Sequence, residues 1–216
     1  MANIQKAIDE LHIAFQKLNE EFFKGELPEP AITIQSGGKR KSMGWCSTNE
    51  VWRDKEGKNK RYELNIGAEY LDIEFMETMD TMLHEMVHLY NAINGVQDCS
   101  RNGTYHNKRF KEECERRGFY FTSEKDDRYG WAFPKLTEET KKIIKGLGID
   151  EIVFVIARRS RSGGVTEGSE EGAEAEEKKK TSYKWVCPGC ELIVRSTKPG
   201  IALKCIECDK QLEEEK

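Results

Sequence analysis

The sequence predicts an α+β chain, with helices packed on a small sheet and a small cysteine-bearing module behind them. Three observations carry this. Two long stretches, residues 3–24 and 73–93, repeat apolar residues at helical spacing. Three short β-type runs lie between them. Four of the seven cysteines gather in residues 183–216, beyond a stretch with no apolar periodicity. The predicted organisation is a first domain over 1–160, a flexible charged linker over 161–182 and a small module over 183–216.

The first helix places Ile4, Ala7, Ile8, Leu11, Phe15, Leu18 and Phe22 on one face, and Gly25, Pro28 and Pro30 end it. His12 lies near that stripe and reads as a packing or surface residue. Strands are expected at Ala31–Gln35, Met43–Ser47 and Tyr62–Ile66, with loops over Ser36–Lys41 and Arg53–Arg61. Asp72 is placed to cap the next helix and Asn94-Gly95 to end it. Met76, Met79, Met82 and Met86 on that helix suit core packing. An irregular stretch then runs to Thr104, and a helix is expected from about Tyr105 to Arg117, with His106 at its start and Gly118 closing it. A short helix over Thr137–Lys145 and a strand over Glu151–Ala157 complete the first domain.

Composition bounds the function. The chain is 37% hydrophobic and 34% charged, which suits a globular domain with a heavily solvated surface. No stretch approaches the ~20 apolar residues of a membrane span, and the N-terminus does not read as a signal peptide. No membrane partner is expected, and the expected location is cytoplasmic, nucleoid or nuclear. Seven cysteines in that context point to metal or free thiols rather than disulfides. A net charge of −4 does not advertise nucleic-acid binding, so any such role must come from local patches.

Chemistry concentrates in His84-Glu85-Met86-Val87-His88, on the second long helix. Residues four apart share a helix face, so the two imidazoles can meet at one point. That pair suits Zn²⁺, and the intervening glutamate suits a general base for a metal-activated water. A catalytic zinc takes three protein ligands and keeps one open position. His106 leads for the third place, with Glu112, Glu113 and Asp98 as competitors. Oxyanion stabilisation falls to Tyr90, Tyr105 or Tyr129, among which the sequence does not choose. In the tail, Cys187-Pro188-Gly189-Cys190 and Cys205-Ile206-Glu207-Cys208 are separated by fourteen residues, close to zinc-ribbon spacing. Four thiolates close a tetrahedral shell, which makes that second zinc structural. Metal also supplies stability that so small a module lacks. Cys46, Cys99 and Cys114 have no partner at ligand spacing and read as ordinary thiols.

Together these residues resemble the SprT-like (Spartan-type) zinc metalloproteases. The resemblance rests on the leading amphipathic helix, on His84 to Tyr90, on His106 followed by Phe110, and on a ribbon introduced by Tyr183-Lys184-Trp185-Val186-Cys187. It covers roughly residues 1–120 and 183–210. It implies a zincin-like domain in which His84, His88 and His106 bind the catalytic zinc and Glu85 activates water. It also implies a protein substrate, with DNA-crosslinked proteins and single-stranded DNA as candidate partners. The sequence departs from the family pattern at Glu191 and Asp209, where a glycine is common after the knuckle cysteines. The ribbon's charge is balanced rather than basic, and Trp185 with Arg195 to Lys198 is its candidate stacking and cationic surface. The competing functional reading is a non-proteolytic DNA-associated zinc-binding or adaptor protein. The loops at 98–104 and 53–61 are candidates to cover the groove until DNA or a partner moves them.

Overall fold

The computed structural model describes residues 3–38, 41–122, 124–159 and 183–215. The expected linker, and residues 39 and 40 of the first loop, lie outside these. The chain divides into two compact units, Met1–Ser162 and Gly163–Lys216. No helix among the described residues is long and apolar enough to cross a membrane.

The first unit begins with α1 (Ile4–Phe23), whose Asn3 side chain accepts from the Gln5 N–H at 2.9 Å and caps the helix. Its stripe of Ala7, Leu11, Phe15 and Leu18 is fully buried. Each larger side chain in it contributes about 1.5–3 kcal/mol through burial. The strands follow: β1 (Ala31–Gln35), β2 (Gly44–Cys46), β3 (Trp52–Arg53), β4 (Lys60–Arg61) and β5 (Glu63–Gly67). β1, β5 and β2 form one sheet in that order, β1 parallel and β2 antiparallel to β5, which leaves β2 at an edge. Buried Asn65 on β5 staples the sheet, accepting from the Gln35 N–H at 2.7 Å and the Thr33 hydroxyl at 2.9 Å. The stretch 53–61, expected as a loop, carries the β3–β4 hairpin, because Asp54 accepts from the N–H groups of Lys58 and Asn59 and folds the turn.

Helix α2 (Phe75–Ile93) packs across β2 and β5, with all four methionines of its row in the core. The cap expected from Asp72 does not form. Asp72 lies before the helix and pairs instead with Arg159, while Glu74 stands at the N-cap with no side-chain bond. Next come β6 (Cys99–Ser100) and β7 (Tyr105–His106), paired as a hairpin, and then α3 (Lys108–Arg116). His106 thus lies on a strand and not on the helix, because Asn107 caps α3 by accepting from Arg109 and Phe110 N–H. β8 (Phe119–Tyr120) pairs with β9 (Lys135–Leu136), and Thr137 caps α4 (Glu138–Gly146). The strand expected at Glu151–Ala157 is a 3-10 turn at Glu151–Val153 followed by irregular chain. Asp150 starts that turn by accepting from the Ile152 N–H.

The second unit is a three-stranded sheet in the order β11 (Ile193–Ser196), β10 (Tyr183–Val186), β12 (Glu213–Glu215), with four cysteines at one end. Glu191 and Asp209 adopt φ of 58° and 53°, so both knuckles take the left-handed turn without glycine. Trp185 is 7% exposed and forms the module's core with Cys187, Cys205 and Leu212. It offers no stacking surface, which corrects that expectation. Lys184 and Lys204 are paired with Glu215 and Asp209.

Candidate metal centre

α2 fixes His84 and His88 on one face, and the β6–β7 hairpin carries His106 to them. The His88 Nε2 atom lies 3.2 Å from Nε2 of His84 and 3.1 Å from Nε2 of His106. Three ring nitrogens turned toward one point are donors around a common centre. A tetrahedral zinc at about 2.0–2.1 Å from each would space them about 3.3–3.4 Å apart. The residues therefore fit a three-histidine metal site. Burial, together with the neighbouring imidazoles, holds His84 well below the usual imidazole range and His106 down to about 4. Both are then neutral at pH 7, the state a ligand needs.

Beneath the rings lies Phe110, fully buried, with its centroid 4.5–4.8 Å from each of the three imidazole centroids. Asp98 has a different role from the one weighed for it. Its carboxylate accepts from Asn91 Nδ2 at 3.0 Å and lies 2.7 Å from His88 Nδ1. That contact leaves Nε2 of His88 free to bind and orients the ring. Burial opposes a charge on His88, but the Asp98 bond and charge outweigh it and raise its pKa. Glu112 is paired with Lys108 at the surface, and buried Glu113 with Arg116 and Arg117. Neither joins the cluster among the described residues. His12 stands apart, 3.6 Å from Glu29. Cys99 lies within 4.8 Å of the His88 and Asp98 donor atoms, a proximity the sequence reading missed. Burial, and then Asp98, push its thiol far up, so it stays protonated.

Glu85 is 6% exposed, on the face of α2 turned to β2. A Cβ added to Gly44 on β2 would sit 3.1 Å from Glu85 Cγ and 2.8 Å from Thr81 Cγ2, so glycine permits this approach. Burial raises the Glu85 pKa to about 7, against the pull of His88 and the Cys46 amide. β2 has no strand on its outer side among the described residues. In the second unit, the donor atoms of Cys187, Cys190, Cys205 and Cys208 lie within 4.8 Å of one another. The sulfurs of Cys190 and Cys205 are 3.7 Å apart, close to the edge of a tetrahedron around zinc at about 2.3 Å. The Gly189 N–H points at Cys187 Sγ from 3.4 Å, a bond that favours the thiolate.

The model of the SprT-like family matches residues 11–129, more than half of the chain. The chain belongs to the SprT-like family. That match begins within α1, covers the sheet, the three histidines and α3, and ends short of the cysteine module. Comparison with curated proteins and with solved structures found no match. Membership of that family is consistent with a metalloprotease-type domain, and the C-terminal cysteine cluster fits a zinc ribbon.

Proposed function

We propose that this SprT-like protein is a zinc-dependent endopeptidase, with one catalytic zinc on His84, His88 and His106 and one structural zinc on Cys187, Cys190, Cys205 and Cys208. The observation that carries the reading is the convergence of three Nε2 atoms beside buried Glu85, at the foot of an open edge strand. Zinc bound there lowers the pKa of water to about 7 and polarises the scissile carbonyl. Glu85 accepts the proton of the attacking water and delivers it to the leaving amine. Burial in the metal-free site raises its pKa, which favours its holding the proton between the two transfers. Asp98 and Asn91 hold the His88 ring, and Phe110 supports all three rings from below. An extended peptide aligns on the outer side of β2 by strand addition.

Replacing Glu85 with Gln tests this directly. The variant keeps both zincs per chain, while hydrolysis of a denatured protein falls by about 10²–10⁴. Unchanged hydrolysis would remove Glu85 from the mechanism. The proposed substrates are proteins bound or crosslinked to DNA, by family resemblance. The β3–β4 hairpin supports a nucleic-acid contact, since it exposes Trp52 beside Arg53, Lys60 and Arg61. Cleavage is then faster with single-stranded DNA present. An unchanged rate with DNA demonstrably bound would count against this part.

A further inference from the structure

The three histidines are not held alike. His84 and His88 ride on a nineteen-residue helix, and His88 also has Asp98 against its Nδ1. His106 sits on a two-residue strand behind a turn whose residues Arg101, Asn102 and Gly103 all have positive φ and are exposed. Its Nδ1 is buried and has no hydrogen-bond partner among the described residues. Among the described residues no side-chain bond sets the angle of this ring, and its backbone is fixed by other means.

The segment Asp126–Trp131 supplies them. The His106 N–H donates to the Tyr129 carbonyl at 2.9 Å, and the Trp131 N–H donates to the His106 carbonyl at 3.0 Å. Gly130 lies so close that an added Cβ would be 2.0 Å from the His106 oxygen, and its φ of 68° also requires glycine. The segment is closed on itself. Asp126 and Gly130 exchange main-chain bonds of 3.0 and 2.9 Å, and Asp126 Oδ1 accepts from the N–H groups of Arg128 and Tyr129, both at 2.7 Å. Trp131 anchors its far end, edge-on to Phe121 and under the Lys111 ammonium of α3 at 4.5 Å.

We infer that Asp126–Trp131 is a clamp that positions the third zinc ligand, with Gly130 and Asp126 as its positioning residues. The inference rests on the zinc reading above and adds the device that completes the site. A bond from a second side chain, such as Asp98 gives His88, is replaced at His106 by a main-chain clamp on an exposed turn. Zinc affinity at the histidine site then depends on residues far along the chain from all three ligands.

The test uses the full chain, with zinc per chain counted and affinity at the histidine site measured by chelator competition. The ribbon zinc serves as internal control, and the cobalt(II)-substituted spectrum reports ligand geometry. Gly130→Ala and Asp126→Ala weaken zinc at the histidine site tenfold or more and alter the cobalt spectrum while the ribbon zinc holds, and Asp126→Ala also leaves the metal-free unfolding temperature near wild type. Asp126→Asn keeps a side-chain acceptor and retains most of the affinity. If Gly130→Ala fails to fold, Asp126→Ala, an exposed change, decides. Wild-type zinc affinity in Asp126→Ala would overturn the clamp while leaving the peptidase reading intact. A wild-type chain that binds only the ribbon zinc would overturn both.

Discussion

At the scale of single residues, the candidate site depends on Phe110 as much as on its donors. The ring is fully buried and lies under all three imidazoles, so it joins the metal face of the site to the hydrophobic core. Truncation to Ala leaves a cavity where the three rings are supported, and a buried Phe→Ala change costs about 3–5 kcal/mol. The expected outcome for Phe110→Ala is a lowered denaturation midpoint together with lost zinc at the histidine site. Phe110→Leu, which conserves most of the volume, recovers much of the stability and less of the zinc. Calorimetry and metal analysis on the same samples separate the two effects. Stability and zinc recovered together by Leu would show that the residue acts through volume alone.

Among the elements, the close contact of β2 with α2 decides where a substrate strand can lie. Gly44 is a point of close approach, with Thr81, Glu85 and the Asn65 carbonyl around its missing Cβ at 2.8–3.1 Å. Gly44→Ala pushes the edge strand off the helix that carries Glu85, since one added methyl cannot fit without backbone movement. Peptide hydrolysis is expected to fall by tenfold or more with zinc retained, because the ligands lie on other faces. Unchanged kcat/KM would show that the edge strand does not set substrate position. The pattern of these elements was legible where burial is periodic. The α1 stripe, the β1 and β5 runs and the α2 heptapeptide from His84 to Tyr90 all show in the sequence. N-caps and short hairpins were not. Asp72 has the chemistry of a cap but is drawn to Arg159, distant in sequence. His106 looks helical because Phe110 and Cys114 continue a helical spacing, yet Asn107 starts the helix after it. The clamp around Gly130 left no local signal, since a glycine beside a tyrosine reads as an ordinary turn until its carbonyl partner is known.

Over the whole SprT-like unit, two carboxylates tie segments far apart in sequence and give stability opposite dependences on pH. Glu69 accepts from the Ser36 hydroxyl, the Gly37 N–H and Arg158, and these bonds, the serine's first, lower its pKa to about 2. Its folded value lies below its unfolded one, so its contribution is present above about pH 4.5 and is lost as pH falls toward 2. Asp80 on α2 accepts from the Leu136 N–H at 3.3 Å, and burial raises its pKa to about 6 against the pull of Lys135. Here the folded chain holds a proton that the unfolded chain has released. Stability from this residue is therefore full below about pH 4 and lost as pH rises through 6. Asp80→Asn keeps the carbonyl acceptor and removes the charge. It is expected to be more stable than wild type at pH 7, by on the order of 1–3 kcal/mol, with the gain vanishing near pH 4. Glu69→Gln moves the other limb, losing stability at pH 7 and converging on wild type near pH 2. Urea titrations of variant and wild type from pH 2 to 8 with chelator present, so that protonation of the zinc ligands does not enter the difference, check both. A gain for Asp80→Asn that stayed constant across that range would show that the burial of charge on α2 is not what the protein resists at neutral pH.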